Sequence, residues 1–254
     1  YIGEIQLQSL PYLNTEYLGF LMDDNNTSAS QSIEVRKAIN YGFDRKKMIT
    51  YLRNNIGTPA VNGFIPKGLP SFSDTLRGYD YNPERAKELI RASKLEDIKV
   101  TLNTTSSYLD LCEFIQNQLS EIGISVSINI NPPSTHRQMV ATSKLDFFRG
   151  SWIADYADAE NYLALFYSKN FCPNGPNYTH FSNDKYDAYY EAAMVEVSLE
   201  KRQYYYQLMN QMIIDESAIV PLYYDQVIRF VQNDISGFES NAMNLLQLKR
   251  VKKN

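Results

Sequence analysis

The sequence predicts an α/β fold around a mixed, partly parallel sheet, and two observations carry this prediction. The middle of the chain alternates between strand patterns at 98–103, 124–130 and 145–148 and amphipathic helix patterns at 109–122 and 134–143. A strand–helix–strand order places successive strands parallel in one sheet. In addition, 44% of the 254 residues are hydrophobic and 21% are charged, which is typical of a chain with a sizeable buried core.

The N-terminal part supplies a buried strand and then a capped helix. Residues 17–22 form a short apolar and aromatic run, which predicts the strand, and the polar residues 23–31 predict a loop. Ser32 is placed to cap a helix over 33–41, because a serine hydroxyl accepts a hydrogen bond from the first turn of a helix.

A second helix and a long ordered loop follow. Asp44 is placed to cap a helix over 45–52. Residues 57–83 are rich in glycine and proline but keep apolar residues for packing, so we expect an ordered loop rather than a linker. Pro83 suits the first turn of a helix that continues over 84–92.

The C-terminal part predicts a loop, two helices and two late strands. The loop covers 171–181, and the helices cover 184–197 and 199–214. The strands cover 218–224 and 227–231. The serine at 134 is expected to cap the short helix that precedes the 145–148 strand.

Composition excludes several classes of function. The net charge of −4 and the pI of about 5.3 argue against a nucleic-acid-binding protein, which needs a clustered basic surface. No apolar run reaches the length of about 18 residues that a membrane-spanning helix needs. Two histidines and two cysteines without CxxC spacing argue against a Cys/His metal site. A disulfide between Cys112 and Cys172 stays open. Because the chain opens on Tyr1 rather than Met, we expect a leader or more to have been removed.

The stretch Arg149–Asp158 is the strongest candidate for a binding site. It holds the only tryptophan, Trp152, close to the carboxylate of Asp155, where an apolar run breaks into small residues as at a strand end. A flat apolar face beside a carboxylate suits an ammonium group on an apolar body. The alternative is a core tryptophan, with Asp158 capping the helix that follows.

No enzyme signature is found. The sequence has no GxGxxG turn, phosphate-binding loop, GxSxG elbow or HExxH pair. Glycoside hydrolysis would need a pair of carboxylates such as Asp155 and Asp158. A role for Asp155 in an ion pair or a helix cap is the stronger interpretation. We therefore expect a protein that is not an enzyme and that needs no cofactor.

Several stretches in fixed order resemble one family. They are Tyr17-Leu18-Gly19-Phe20 with 35–49 (VRKAINYGFDRKKMI), 57–68 (GTPA…IPKG), 81–90 (YNPERAKELI), 152–158 (WIADYAD) and 218–224 (AIVPLYY). Together they are similar to the extracytoplasmic solute-binding proteins of peptide ABC importers, the family of the oligopeptide- and dipeptide-binding proteins. The likeness covers residues 15–240, about the C-terminal half of a family member.

The resemblance implies a periplasmic-binding-protein-like lobe, with a mixed sheet flanked by helices, that forms the truncated C-terminal half of a two-lobed clamp. It divides the chain into 1–18, which belongs to the first lobe or hinge, 19–226, the C-terminal α/β lobe, and 227–254, which returns to the first lobe. The implied partners are a short peptide, an ABC permease in the membrane and the missing N-terminal lobe, with no nucleic acid. The implied location is the periplasm or, for a lipoprotein, the cell envelope.

The resemblance also implies roles for individual residues. Asp155 matches the aspartate that pairs with a peptide amino terminus, and Arg149 matches an arginine that meets the peptide carboxylate in some ligands. Backbone groups of Ser151, Ile153 and Ala154 would pair with an extended peptide. The remaining implied ligand-binding residue is Trp152, which would pack against the ligand.

Departures from the family pattern keep alternatives open. Alanine stands at 157 and 159, where the family usually has proline, and Ser107 stands near a position where some members have a histidine. The same fold could bind another solute, such as chelated nickel, heme or an oligosaccharide. It could also serve as the sensory domain of a transcription regulator.

Overall fold

The computed structural model describes residues 4–23 and 28–254, so predictions that fall on residues 1–3 and 24–27 lie outside it, including that part of the 23–31 loop. The last residues of that loop, Ala29–Gln31, form a short 3-10 helix. The helices are α1 Ile33–Tyr41, α2 Arg45–Leu52, α3 Pro83–Ser93, α4 Leu109–Ser120, α5 Pro133–Ala141, α6 Glu160–Leu163, α7 Asp184–Val195 and α8 Leu199–Asp215. The strands are β1 Ile5–Phe20, β2 Thr58–Pro59, β3 Lys99–Thr104, β4 Ser125–Ile130, β5 Phe147–Ile153, β6 Ile219–Gln232, β7 Ile235–Ser236 and β8 Lys252–Lys253.

Six strands form one mixed sheet in the order β2-β6-β1-β5-β3-β4. β3 is parallel to both β4 and β5, whereas β1 is antiparallel to both β5 and β6. The two crossovers that join β3, β4 and β5 each contain a helix, as parallel neighbours require. The predicted α/β class with a mixed sheet flanked by helices is confirmed.

The sheet has a hydrophobic core on each face, because side chains of a strand alternate between its two faces. Leu18 and Phe147 belong to the core under the first four helices, whereas Tyr17 and Phe148 belong to the core under α5 to α8. All four side chains are buried. This alternation fixes the register of β1 against β5, since a slip of one residue would exchange the two sets.

The 35–49 segment that resembles the family is structural. Arg36 and Arg45 are buried, and their guanidinium groups donate to backbone carbonyls, including those of Ser217 and Pro221 beside and within β6. The caps were predicted correctly: Ser32 accepts from the N–H of Val35, and Asp44 accepts from that of Lys47. Because buried charges need dense hydrogen bonding, these arginines fix the helices against the sheet.

Four predictions are corrected. The strand predicted over 17–22 is the end of β1, which starts at Ile5 because β6 pairs with its outer half, and which ends at Phe20. β5 does not end at 148 but continues through Ile153, because β1 pairs with it from Phe20 to Asn14. The two late strands are the single strand β6, which β1 also holds extended along most of its length. Ser134 lies inside α5 and does not cap it, since the helix starts at Pro133.

β1 and β6 extend beyond the rest of the sheet as a two-stranded ribbon. They pair from Ile5 with Gln232, and the outer half of β1 is more exposed than its buried inner half. Leu7 and Phe230 are cross-strand partners, and they are 62% and 74% exposed. The predicted boundaries at 18/19 and 226/227 fall within these continuous strands and remain predictions.

In the part of the chain that the structure describes, no helix has the length and apolar character to cross a membrane. Cys112 and Cys172 are both buried free thiols, so the disulfide left open by the sequence does not form.

Candidate functional site

A cavity of about 480 Å³ opens between β5, α5 and the turn before α4. Three of the predicted site residues line it, namely Arg149, Ser151 and Trp152. Aromatic rings from separate parts of the chain supply much of the remaining wall: Tyr17, Tyr108, Phe148 and Tyr178. The cavity therefore combines apolar faces with a few polar groups, as small-ligand sites do.

One edge of β5 is left without a strand partner beside this cavity. β3 pairs with β5 only between Asn103 and Phe148, so in the described chain no strand covers β5 on that side from Arg149 onward. The backbone N–H of Ala154 donates to Leu13 on the β1 side at 2.9 Å. Because backbone groups alternate in direction along a strand, those of Ser151 and Ile153 point to the open edge.

The carboxylate of Asp155 follows directly after this open edge. Asp155 is exposed, and its side chain makes no hydrogen bond or ion pair with any residue that the structure describes. Its backbone N–H donates to Asn161 Oδ1 at 3.2 Å. Asp155 and Ile153 do not line the cavity, and Ala154 is buried in the strand end.

Asn161 holds the end of β5 in place. Its Oδ1 accepts from the indole Nε1 of Trp152 at 2.8 Å as well as from Asp155, and Asn161 is buried. Trp152 is half-buried against the second core, so it is at once part of the core and part of the cavity wall.

Asp158 accepts a hydrogen bond from the N–H of Glu160 at 2.9 Å, at the start of the following helix. This contact is similar to the helix-capping role that the sequence suggested for Asp158.

Arg149 is already paired within the protein. Its Nη2 donates to Glu16 Oε2, and its guanidinium carbon lies 3.3 Å from the ring centroid of Tyr108. Glu16 also accepts from Asn14 Nδ2 at 3.1 Å. Burial raises the pKa of Glu16 above its ordinary value, and the positive charge of Arg149 opposes that rise. Arg149 and Glu16 therefore form a buried ion pair behind the cavity.

His136 lies on the α5 side of the cavity. Its Nε2 is 2.8 Å from the carbonyl oxygen of Arg149, which lies on the open edge of β5. Burial lowers the pKa of His136 below its ordinary value. Because the imidazole is thus held neutral at pH 7, it donates one hydrogen bond to β5 and adds no charge to the site.

The turn before α4 forms the far wall. Thr105 and Ser107 line the cavity there. Both belong to the strand-to-helix turn at which the sequence assigned no firm role to Ser107.

Across residues 4–23 and 28–254, no group of three or more His, Cys, Asp or Glu side chains is arranged to hold a metal ion.

The family model for bacterial extracellular solute-binding proteins, family 5 (middle), matches residues 3–172. The chain belongs to this family.

Relatives and solved structures agree with this membership. The chain is 24% identical to the oligopeptide-binding protein OppA of Bacillus subtilis over 88% of this chain, and 22% identical to heme-binding protein A of Haemophilus influenzae over 86%. The structure of DppA from Helicobacter pylori, solved with the peptide STSA, superposes with a TM-score of 0.87 at 21% identity over 99% of this chain. That likeness establishes the family 5 fold.

The chain spans about half the length of the proteins it matches. It covers 44% of the Bacillus subtilis relative, 41% of the Haemophilus influenzae relative and 49% of the Helicobacter pylori chain. The matched portion of the family 5 fold contains the cavity and the open strand edge.

Sequence reasoning found the motif on β5 but missed the residues that position it. Glu16, Tyr108 and His136 contact Arg149 from other elements, and Asn161 contacts Trp152. Only Asn161 lies close in sequence, and an asparagine within a short helix carries no signal of its own. The other three contact Arg149 only because the order of the strands in the sheet brings their elements together, and local sequence patterns do not encode that order.

Proposed function

We propose that this chain is part of the solute-binding subunit of an ABC importer, and that it binds short peptides with Asp155 pairing their amino terminus. The observation that carries the proposal is the open edge of β5, which ends at an exposed carboxylate without a partner in the described chain. An extended peptide carries both features that such a site recognises, namely backbone hydrogen-bonding groups and a terminal ammonium.

Main-chain pairing would orient the peptide. Ser151 and Ile153 would exchange backbone hydrogen bonds with alternate peptide residues, while Ala154 keeps its N–H on Leu13 and fixes the strand end. With its amino terminus at Asp155, the peptide would run antiparallel to β5 toward Arg149. Such pairing tolerates many side chains, because specificity then rests on the neighbouring cavity and on Trp152.

The whole protein would extend beyond this lobe. The ribbon of β1 and β6 exposes Leu7 and Phe230, and a further lobe packed against it would cover both. We propose that this further lobe closes the second wall of the peptide site, and that a membrane permease receives the peptide. The protein would act in the periplasm or as a lipoprotein of the cell envelope.

Calorimetry on the full-length gene product tests the peptide proposal. A tripeptide should bind, and its N-acetylated form should bind about ten- to a hundredfold more weakly, because acetylation removes the charge that Asp155 would meet. Equal affinities for the two forms would contradict the assigned role of Asp155.

Heme is the second candidate ligand, favoured by the similarity to the Haemophilus influenzae protein named for binding it. Among the residues that the structure describes, His136 is the only histidine that lines the cavity, and its Nε2 is already bonded to the backbone carbonyl of Arg149. A hemin titration of the same preparation separates the candidates, since saturable hemin binding without peptide binding would favour heme.

A further inference from the structure

We propose that Glu16 determines the ligand selectivity of the cavity: by neutralising Arg149, it makes the cavity accept a neutral aromatic side chain and reject an acidic one. This inference rests on the proposed function, because it names the peptide side chain that would enter the cavity beside β5. Neither Glu16 nor its pairing with Arg149 can be recognised in the sequence motif.

The guanidinium group of Arg149 is already held by two neighbours, although its buried Nε has no hydrogen-bond partner among the described residues. One edge is bonded to Glu16, and its face is covered by the ring of Tyr108 at 3.3 Å. The side chains of Arg149 and Glu16 are 11% and 5% exposed. A ligand carboxylate that took Arg149 would leave Glu16 buried without its counter-ion, which is more costly than leaving the pair intact.

The other charged groups do not restore a positive cavity. His136 is held neutral by burial and donates its hydrogen bond to the carbonyl of Arg149. Arg137 lines the cavity but is exposed, so water screens its charge and an ion pair there adds little. The interior of the cavity therefore carries an internally balanced ion pair and no net charge.

The shape and chemistry of the wall favour a ring. Tyr17, Phe148, Trp152 and Tyr178 line the cavity, and aromatic side chains prefer stacked or edge-to-face contacts with one another. Thr105 lies on the far wall, and a threonine hydroxyl can form a hydrogen bond with a phenol. A tyrosine or phenylalanine side chain fits this arrangement better than a carboxylate does.

The first test uses the unaltered full-length gene product. A tetra-alanine peptide is compared by calorimetry with peptides in which a single Tyr, Phe or Glu replaces Ala at each position in turn. At the position that enters the cavity, Tyr or Phe should bind about tenfold tighter than Ala, and Glu no tighter than Ala. Tighter binding of Glu than of Tyr at that position would overturn the proposal.

The second test changes the balance of charge. Glu16→Gln should raise the affinity for the Glu peptide about tenfold and leave the Tyr peptide within about twofold, because Arg149 then lacks its counter-ion. Asp225→Asn is the matched control: Asp225 bonds Asn14, as Glu16 does, but it does not contact Arg149, so the preference should stay unchanged. An unchanged preference in Glu16→Gln, with circular dichroism showing a folded protein, would overturn the proposal.

The double variant Glu16→Gln/Arg149→Met removes both charges of the pair at once and leaves no unpaired charge behind. If Glu16 neutralises Arg149 in the wild type, the double variant should keep the wild-type preference between the Tyr and Glu peptides. A selective loss of the Glu peptide in the double variant would show that Arg149 receives acidic ligands, and the proposal would fall.

Small probes separate this inference from the peptide proposal. By NMR titration, p-cresol should shift signals of the cavity residues, and p-hydroxybenzoate should do so only in Glu16→Gln. If no peptide binds but the two probes behave in this way, the peptide function fails and the selectivity of the cavity stands. If p-hydroxybenzoate binds the unaltered protein as well as p-cresol does, the selectivity fails.

Discussion

Asn161 shows how a single amide oxygen can position a candidate site. Its Oδ1 accepts from the indole of Trp152 and from the backbone N–H of Asp155, and the residue itself is buried. A buried donor that loses its acceptor costs about 1–3 kcal/mol. The carboxylate proposed to hold the ligand and the ring that flanks it thus depend on one side chain.

Asn161→Ala should therefore weaken peptide binding about tenfold and lower the free energy of unfolding by about 1–3 kcal/mol. Calorimetry and urea denaturation measure the two effects. Asn161→Asp keeps an acceptor oxygen and should restore much of both. Full peptide affinity in Asn161→Ala would mean that Asn161 does not position Asp155.

Glu16 gives the fold a pH dependence of defined sign. Since burial raises its folded-state pKa, the folded protein binds a proton at higher pH than the unfolded chain does. The contribution of Glu16 to stability is therefore greatest at low pH and falls as the pH rises from about 4 through the raised pKa.

Urea denaturation of the wild type and Glu16→Gln between about pH 4 and 7 measures this contribution. The wild-type free energy of unfolding minus that of Glu16→Gln should decrease as the pH rises over that range. Subtracting the variant removes the other carboxyl groups from the comparison. A difference that increases with pH would contradict the raised pKa.

At the scale of elements, the structure shows which features a local pattern encodes. The caps at Ser32 and Asp44 and the helix start at Pro83 depend on neighbours in sequence, and all three were predicted correctly. The end of β5 was misplaced because Gly150 and Ser151 resemble a strand end. It is pairing with β1, far away in sequence, that keeps this segment extended.

Gly150 is required by the close approach of β1 and β5. A Cβ at this position would lie 2.7 Å from Cζ of Tyr17, the residue directly opposite in the register. Gly150→Ala should therefore displace the tyrosine ring from the cavity wall and destabilise the fold by about 1–3 kcal/mol.

A double-mutant cycle with Tyr17→Leu, followed by thermal and urea denaturation, tests this explanation. Because leucine lacks the ring that would clash, the alanine should cost less in the Tyr17→Leu protein than in the wild type. Equal costs in the two backgrounds would show that Tyr17 is not the reason for the glycine.

At the scale of the whole molecule, the chain divides into a packed lobe and a projecting ribbon. The fold class could be predicted because it follows from the order of strands and helices. The partners of Arg149 could not, because Glu16 and Arg149 are 133 residues apart and meet only when β1 enters the sheet beside β5. The position of the cavity likewise depends on where β3 separates from β5.

Hydrogen exchange distinguishes the two parts. In the 254-residue chain, amides in the outer half of β1 should exchange faster than those of Leu13–Phe20, which are buried and have strands on both sides over most of their length. In the full-length gene product, slower exchange of the outer half is expected, since a further lobe would cover Leu7 and Phe230. Equal exchange of the outer half in the two proteins would contradict a lobe that packs there.

The central claim is that the carboxylate of Asp155 receives the charged end of a peptide, and one calorimetric cycle tests it most directly. A free and an N-acetylated peptide are titrated into the wild type, Asp155→Asn and the control Asp158→Asn, whose carboxylate is engaged with the N–H of Glu160. We expect the preference for the free peptide, about ten- to a hundredfold in the wild type, to vanish in Asp155→Asn and to persist in Asp158→Asn. A preference that survives in Asp155→Asn would contradict the account.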